Sequence, residues 1–161
     1  MMGFFTQLFA RAEPILSEAS AHDAGEIASL HATSFRRGWS EQEVEGLLLD
    51  RQVIAHRAMA GGRLIGFIMS RLAADEAEIL SVAVASRQRG RGLARRLLDL
   101  HLRRLAGLGA RAVFLEVDEH NTAAIKLYDR AGFREVARRP NYYPSPGGKP
   151  AAALVLRRDL A

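Results

Sequence analysis

Apolar positions fall at two different spacings along this chain, and the changes between them mark its elements. Ile15-Leu16 reads as a short first strand, and Ile27, Leu30, His31 and Phe35 then recur at helical spacing, which predicts a helix beginning near Asp23. A second helix is expected after Ser40. The Ser40 hydroxyl can cap free amides, Glu43 completes a capping-box pattern, and Val44, Leu47 and Leu48 supply the apolar side. From Arg51 the period shortens to two. Val53 to Met59 reads as a strand, Ala60-Gly61-Gly62 as a tight turn and Arg63 to Leu72 as the partner strand. Glu78 to Val84 forms a further strand, ending in the polar, glycine-bearing loop Ser86 to Gly90. Ala94, Leu97, Leu98, Leu102, Leu105 and Leu108 then mark a long helix that Gly107 and Gly109 favour ending. Ala112 to Val117 reads as a strand. Asn121 can cap a helix running through Tyr128 to Ala131, Gly132 stops it, and Phe133 to Ala137 with Ala152 to Leu156 supply the last two strands. The sum is a mixed α/β order of about seven strands and four helices, without an internal repeat or linker.

At 161 residues, 48% of them apolar, the chain can bury one proper core and is short for two, so residues 1–161 are expected to form a single domain. Met1 to Ala12, with Phe4, Phe5, Leu8 and Phe9, reads as a short N-terminal extension. No basic residues precede that apolar run, which argues against a secretory signal, and no stretch reaches the length of a membrane span. A cytoplasmic protein without a membrane partner is therefore expected. The 23 Lys and Arg against 18 Asp and Glu give a net charge of +5, almost all of the excess being Arg, which favours phosphate-bearing or acidic partners. Those arginines are scattered, with no basic tract or interleaved aromatics, so direct nucleic-acid binding is not expected. The absence of cysteine removes disulfides, thiolate metal sites and an acyl-cysteine intermediate. His22, His31, His56, His101 and His120 show no metal-ligand spacing; surface or helix-packing roles, and no metal, are expected of them.

The unit strand, glycine-bearing loop, helix presents free backbone amides and a positive helix end to phosphate oxygens. Here Arg89, Arg91 and Arg95 flank the loop as charges, while Gly90, Gly92 and Ala94 let the backbone approach a ligand without a bulky side chain intervening. Two other phosphate loops are excluded. The Gly-Lys-Ser/Thr ending of a Walker loop is missing, and Gly92 is followed by Leu93, Ala94 and Arg95 rather than completing G-x-G-x-x-G.

Val84-Ala85-Ser86-Arg87-Gln88-Arg89-Gly90-Arg91-Gly92-Leu93-Ala94 resembles the V-x-P-x-x-Q/R-x-x-G-x-G/A pattern of the GNAT acetyltransferase superfamily, with Ser86 at the proline position. Of two registers that satisfy its core, the one starting at Arg89 places Leu97-Leu98 where the family's leucine pair follows. Leu115-Glu116-Val117, then Asn121 to Tyr128, then Ala131-Gly132-Phe133 are similar to the L-E-V, N-x-x-A-I-x-L-Y and x-G-F series of the same superfamily, so the resemblance covers roughly the second half of the chain. Trp39-Ser40 and Asn141-Tyr142-Tyr143-Pro144 resemble the RimI family of ribosomal-protein N-terminal alanine acetyltransferases, though Gly38 replaces a proline and Pro140 adds a residue before Asn141. The resemblance implies a GNAT fold with a mostly antiparallel sheet, acetyl-CoA as co-substrate, and a protein N-terminus as acceptor, that of small-subunit ribosomal protein number eighteen. Arg89, Gly90, Arg91, Gly92, Leu93 and Ala94 would take the pyrophosphate, and the main chain of Val82, Ala83 and Val84 the pantetheine arm and acetyl carbonyl.

An α-amine titrates near 8, so a modest general base suffices to expose its lone pair. Alternation places Glu116 opposite Val113, Leu115 and Val117, near a strand end where substrate could reach it. A salt-bridged strand-end carboxylate would account for Glu116 without the motif; the family match assigns it the base. Tyr128 is expected to pack inward, as a core tyrosine also would, and the resemblance has it protonate the departing CoA thiolate. Asn121 caps a helix and, by the resemblance, meets the cofactor. Trp39, Tyr142 and Tyr143 either form walls around the acceptor or pack against neighbouring loops. Without a cysteine the simplest scheme is direct attack of the amine in a ternary complex. Two other readings stay open: a GNAT enzyme acting on a small-molecule amine or lysine side chain, and a non-catalytic acyl-CoA-binding module.

Overall fold

The computed structural model describes residues 12–144 and 147–160, so the N-terminal extension lies almost wholly outside the described residues. Seven strands form one sheet in the order β1-β2-β3-β4-β5-β7-β6. They are β1 Ile15–Glu18, β2 Val53–Ala60, β3 Arg63–Ala73, β4 Glu76–Val84, β5 Ala112–Asp118, β6 Arg134–Tyr143 and β7 Ala151–Asp159. Every neighbouring pair is antiparallel except β4 with β5. Four helices accompany them: α1 Ala24–Ser34, α2 Glu41–Leu49, α3 Leu93–Gly107 and α4 Thr122–Arg130. The mixed, mostly antiparallel architecture expected from the sequence is the one observed.

Each face of the sheet carries its own core. Ile27 and Ala28 of α1 and Val44 of α2 pack on Ala55, Phe67, Met69 and Ala83. On the opposite face Leu97, Leu98, Leu102 and Leu105 of α3 and Tyr128 of α4 cover Ile68, Ile79, Val113, Leu115, Leu154 and Leu156. β3 lies between the two layers and is buried almost throughout, which is why its sequence lacks clean alternation. Gly66 permits the close approach of α3: a Cβ there would stand 3.0 Å from Leu97 Cδ1.

Local chemistry sets the helix starts. Ser40 Oγ accepts the Glu43 amide at 3.1 Å, the first half of the expected capping box. Asn121 Oδ1 accepts the Ala124 amide at 3.2 Å. Asp23, buried ahead of α1, accepts the Ser20 amide at 2.8 Å and pairs with Arg57 of β2 at 2.6 Å, tying α1 to the sheet. β6 departs from expectation by running through Pro140 to Tyr143. It is the outermost strand, where the amide that proline lacks has no partner to lose, and register shifts after Glu135 and Arg139 absorb the extra residues.

Three of the five histidines are buried: His31 and His101 pack from helices, one of the two roles expected of them, whereas His56 is buried on strand β2. His56 of β2 and His101 of α3 face each other with their Nδ1 atoms 2.7 Å apart, and His101 Nε2 lies 2.6 Å from Ser70 Oγ of β3. Burial, and then the neighbouring His56, push His101 down to about 3.

Candidate active site at the β4–β5 seam

β4 and β5 run parallel yet pair only from Glu76–Ala112 to Glu78–Phe114. Beyond that point the strands part, and the facing backbone edges of Ile79–Val84 and Leu115–Asp118 have no strand partner across the seam. A bulge at Leu80, which leaves Ile79 opposite Ser70 and Ser81 opposite Met69, twists β4 away from β5 where the pairing stops. Such an opening offers main-chain donors and acceptors to a ligand that can lie along it like a strand. Val82, Ala83 and Val84 line it.

The seam leads into the Arg89 to Ala94 loop. Gly90 and Gly92 have φ of 76° and 78°, in the left-handed region that favours glycine. A Cβ on either would meet nothing within 4 Å, so it is backbone conformation together with open space that these glycines serve. The first i to i−4 bond of α3 is Arg96 to Gly92 at 3.1 Å, so the amides of Leu93, Ala94 and Arg95 begin the helix without backbone acceptors among the described residues. Free amides at a helix start point their donors outward in the way that suits an anion. The loop's arginines divide: Arg89 Nε turns back to the Val84 carbonyl at 3.3 Å and Arg95 pairs with Asp99 at 3.0 Å. Arg91 instead shares a hollow with Gln88, Leu93, Arg96 and the chain segment Ala12 to Pro14.

Glu116 stands on β5 beside the seam, and Tyr128 belongs to the core on the opposite face of the sheet. Glu116 pairs with Val155, Val155 with Ala137, and Asp118 through Ala153 with Arg139, which puts these side chains on the face of α1 and α2. The Glu116 side chain is 26% exposed and its Oε1 lies 3.3 Å from Arg139 Nη2. Tyr128 is buried on the other face, its ring edge-on to Phe133 at 5.5 Å. Burial pushes its phenol up to about 12, so it carries its proton at any working pH. Asn121 caps α4 as expected, which commits its carbonyl oxygen to the Ala124 amide.

On the Glu116 face two loops meet. Arg36, between α1 and α2, donates to the Pro144 carbonyl beyond β6 at 2.9 Å. Tyr142 is half exposed, stands edge-on to Tyr143 at 5.1 Å and lies under the Arg139 guanidinium at 5.6 Å. The Tyr143 phenol is raised by burial and then by the Glu116 charge, so it borders the same space as the carboxylate. Trp39 is partly buried, its ring stacked on the His31 imidazole at 4.2 Å. Arg139 escaped the sequence reading. Its only signal was its position two residues before the Asn141-Tyr142-Tyr143 motif.

A parted β4–β5 pair, a glycine loop at a helix start, and a seven-stranded mixed sheet with helices on both faces are the frame of an acyltransferase. The chain belongs to the acetyltransferase (GNAT) family, whose family model matches residues 24–133. It is similar to the [ribosomal protein bS18]-alanine N-acetyltransferase of Haemophilus ducreyi, 36% identical over 58% of this chain and 64% of that protein. The chain thus aligns with somewhat less than two thirds of that relative's length. The crystal structure of the ribosomal-protein-S18-alanine N-acetyltransferase from Escherichia coli has a TM-score of 0.85, at 26% identity, covering 92% of this chain and 95% of that one. A crystal structure of Arabidopsis thaliana NAA60 in complex with acetyl-CoA shares the fold with a TM-score of 0.79, at 21% identity over 91% of this chain and 98% of that one. Among the described residues no cluster of three potential ligands could hold a metal, and no helix is long and apolar enough to cross a membrane.

Proposed function

We propose that this chain is an acetyl-CoA-dependent N-acetyltransferase that modifies the α-amine of an N-terminal alanine, with ribosomal protein bS18 as the acceptor its relatives' names suggest. The observation that supports the chemistry is Glu116 on β5 beside the open β4–β5 seam, with Tyr128 on the opposite face of the sheet. Acetyl-CoA fits that seam: its pyrophosphate would lie against the Arg89–Gly90–Arg91–Gly92–Leu93–Ala94 cradle, its pantetheine along the main chain of Val82–Ala83–Val84, and its edge near Asn121. Bound there, it supplies a thioester. Glu116 takes a proton from the attacking amine on one face, while a free β4 amide stabilises the developing oxyanion. As the C–N bond forms and the C–S bond breaks, the Tyr128 hydroxyl faces the departing thiolate. A phenol near 12 opposite a thiol that titrates near 8.5 acts as a hydrogen-bond donor to the thiolate and keeps its own proton, and the thiolate takes up a proton from solvent as it leaves.

The Arg139–Glu116 pair must yield to the acceptor. Arg139 is the exposed partner and Glu116 the half-buried one, so an incoming ammonium replaces the guanidinium as the carboxylate's partner without leaving the carboxylate unpaired. Trp39, Tyr142 and Tyr143 would then wall the acceptor peptide. The reading treats residues 1–161 as one catalytic domain with a short extension at about 1–12, acting in the cytoplasm. Incubation with acetyl-CoA and a panel of alanine-started peptides, lysine peptides and small amines, read by mass spectrometry, tests it. Acetyl on the alanine α-nitrogen is the expected product; acetyl only on side chains or small amines would overturn the acceptor assignment.

A further inference from the structure

His31 lies outside the reaction just described, yet it holds together the loop that borders the acceptor side. Its imidazole is 4% exposed and sits between two aromatic rings, Phe35 at 4.3 Å and 24° on one side and Trp39 at 4.2 Å and 9° on the other. Phe67 of β3 closes the stack from below at 6.4 Å. The Trp39 amide donates to His31 Nδ1 at 3.1 Å, so Nδ1 is the unprotonated nitrogen and Nε2 carries the hydrogen. Beyond Phe35, whose amide closes α1 on the His31 carbonyl at 3.1 Å, the segment to Trp39 lies outside any helix or strand. Within it, Arg36 reaches across to the Pro144 carbonyl beside Tyr142 and Tyr143.

We infer that His31 is the positioning residue of the acceptor loop: by accepting the Trp39 amide at Nδ1 and filling the space between Phe35 and Trp39, it sets the wall against which the acceptor peptide lies. This rests on the acceptor-side reading of Trp39, Tyr142 and Tyr143. The interaction requires an imidazole without a proton on Nδ1. Protonation turns the acceptor into a donor, opposes the Trp39 N–H and releases the loop. Burial holds His31 below the usual histidine value, while Glu43 of α2 opposes that shift. Glu43 is itself within 3.9 Å of Arg37, and Phe67 brings no charge from β3. The folded-state value is thus depressed, so the positioned loop is fully present above about 6.5 and is lost as the pH falls through the folded value.

Steady-state kinetics of full-length variants, on whichever acceptor the unaltered protein accepts, tests this. His31→Phe keeps a stacking ring and removes the acceptor nitrogen; it is expected to raise the acceptor KM about tenfold, with kcat and the acetyl-CoA KM within about twofold. His31→Asn returns an acceptor atom near the Nδ1 position and is expected to restore the acceptor KM to within about threefold. The ratio of acceptor kcat/KM, unaltered protein over His31→Asn, should hold above about pH 6.5 and decline only once the pH falls through the folded value of His31, since titrations of amine and base common to both cancel. An unchanged acceptor KM in His31→Phe, equal rises in both KM values, or a decline of the ratio already above about pH 6.5 would each overturn the inference. If the unaltered protein prefers a small amine over every N-terminal peptide, the proposed acceptor fails separately, and the same three readouts on that amine still decide the role of His31.

Discussion

Acidification to pH 5 should cost this fold stability through the His56–His101 pair, and the size follows from where the two rings sit. His101 is fully buried, held down to about 3, and has His56 Nδ1 at 2.7 Å and Ser70 Oγ at 2.6 Å. In the unfolded chain it takes up a proton below about 6.5. Since the folded value is the lower one, the stabilisation is complete above the unfolded value and declines as pH falls towards the folded one. The loss is about 1.4 kcal/mol per pH unit, so about 2 kcal/mol at pH 5 from His101 alone. His56 is also lowered, by burial and Arg104 against an opposing Glu18, and adds in the same direction. For a chain of 161 residues, 2 kcal/mol corresponds to roughly 4–8 °C in Tm. Paired carboxylates such as Asp23 add acid sensitivity of their own, so the test is differential. Denaturant unfolding of the unaltered protein and His101→Asn, each at pH 7 and pH 5, should show the variant losing about 2 kcal/mol less. Parallel pH dependences would refute the buried-neutral account.

Three further outcomes follow from single positions. Gly66→Ala would push a Cβ to 3.0 Å from Leu97 Cδ1 and should destabilise by about 1–3 kcal/mol, read as a lowered denaturation midpoint. Ser81 Oγ is the buried side-chain atom that finds no partner among the described residues, so Ser81→Ala should raise stability by about 1 kcal/mol in the same assay. Gly92→Ala places a side chain at φ 78° where the protein itself leaves room; it should strain the cradle by about 1 kcal/mol and raise the acetyl-CoA KM more than the acceptor KM.

Features written locally were legible before any coordinates. Ser40 and Asn121 announce helix starts because a short polar side chain ahead of an apolar period has one favourable use, and both accept the amide three residues on. Gly61-Gly62 gives the β2–β3 hairpin for a similar reason. The Arg89 to Ala94 motif marked the glycine loop at the start of α3, yet the course of its arginines was not readable: Arg89 turns to the Val84 carbonyl because β4 ends beside it. Contacts between distant residues left no trace in spacing. His56 and His101 meet across 45 positions, and Arg139 reaches Glu116 only because β7 carries β6 alongside β5. The opening of the seam was equally hidden, since β4 reads as one continuous strand while its pairing to β5 stops at Glu78.

The central claim is that Glu116 acts on the acceptor amine and leaves cofactor binding alone. Turnover of Glu116→Gln, measured with acetyl-CoA affinity by calorimetry on the same preparation, tests it most directly. The account predicts kcat lowered by about 10²–10⁴-fold with acetyl-CoA affinity within about twofold. A kcat within twofold of the unaltered protein would contradict it.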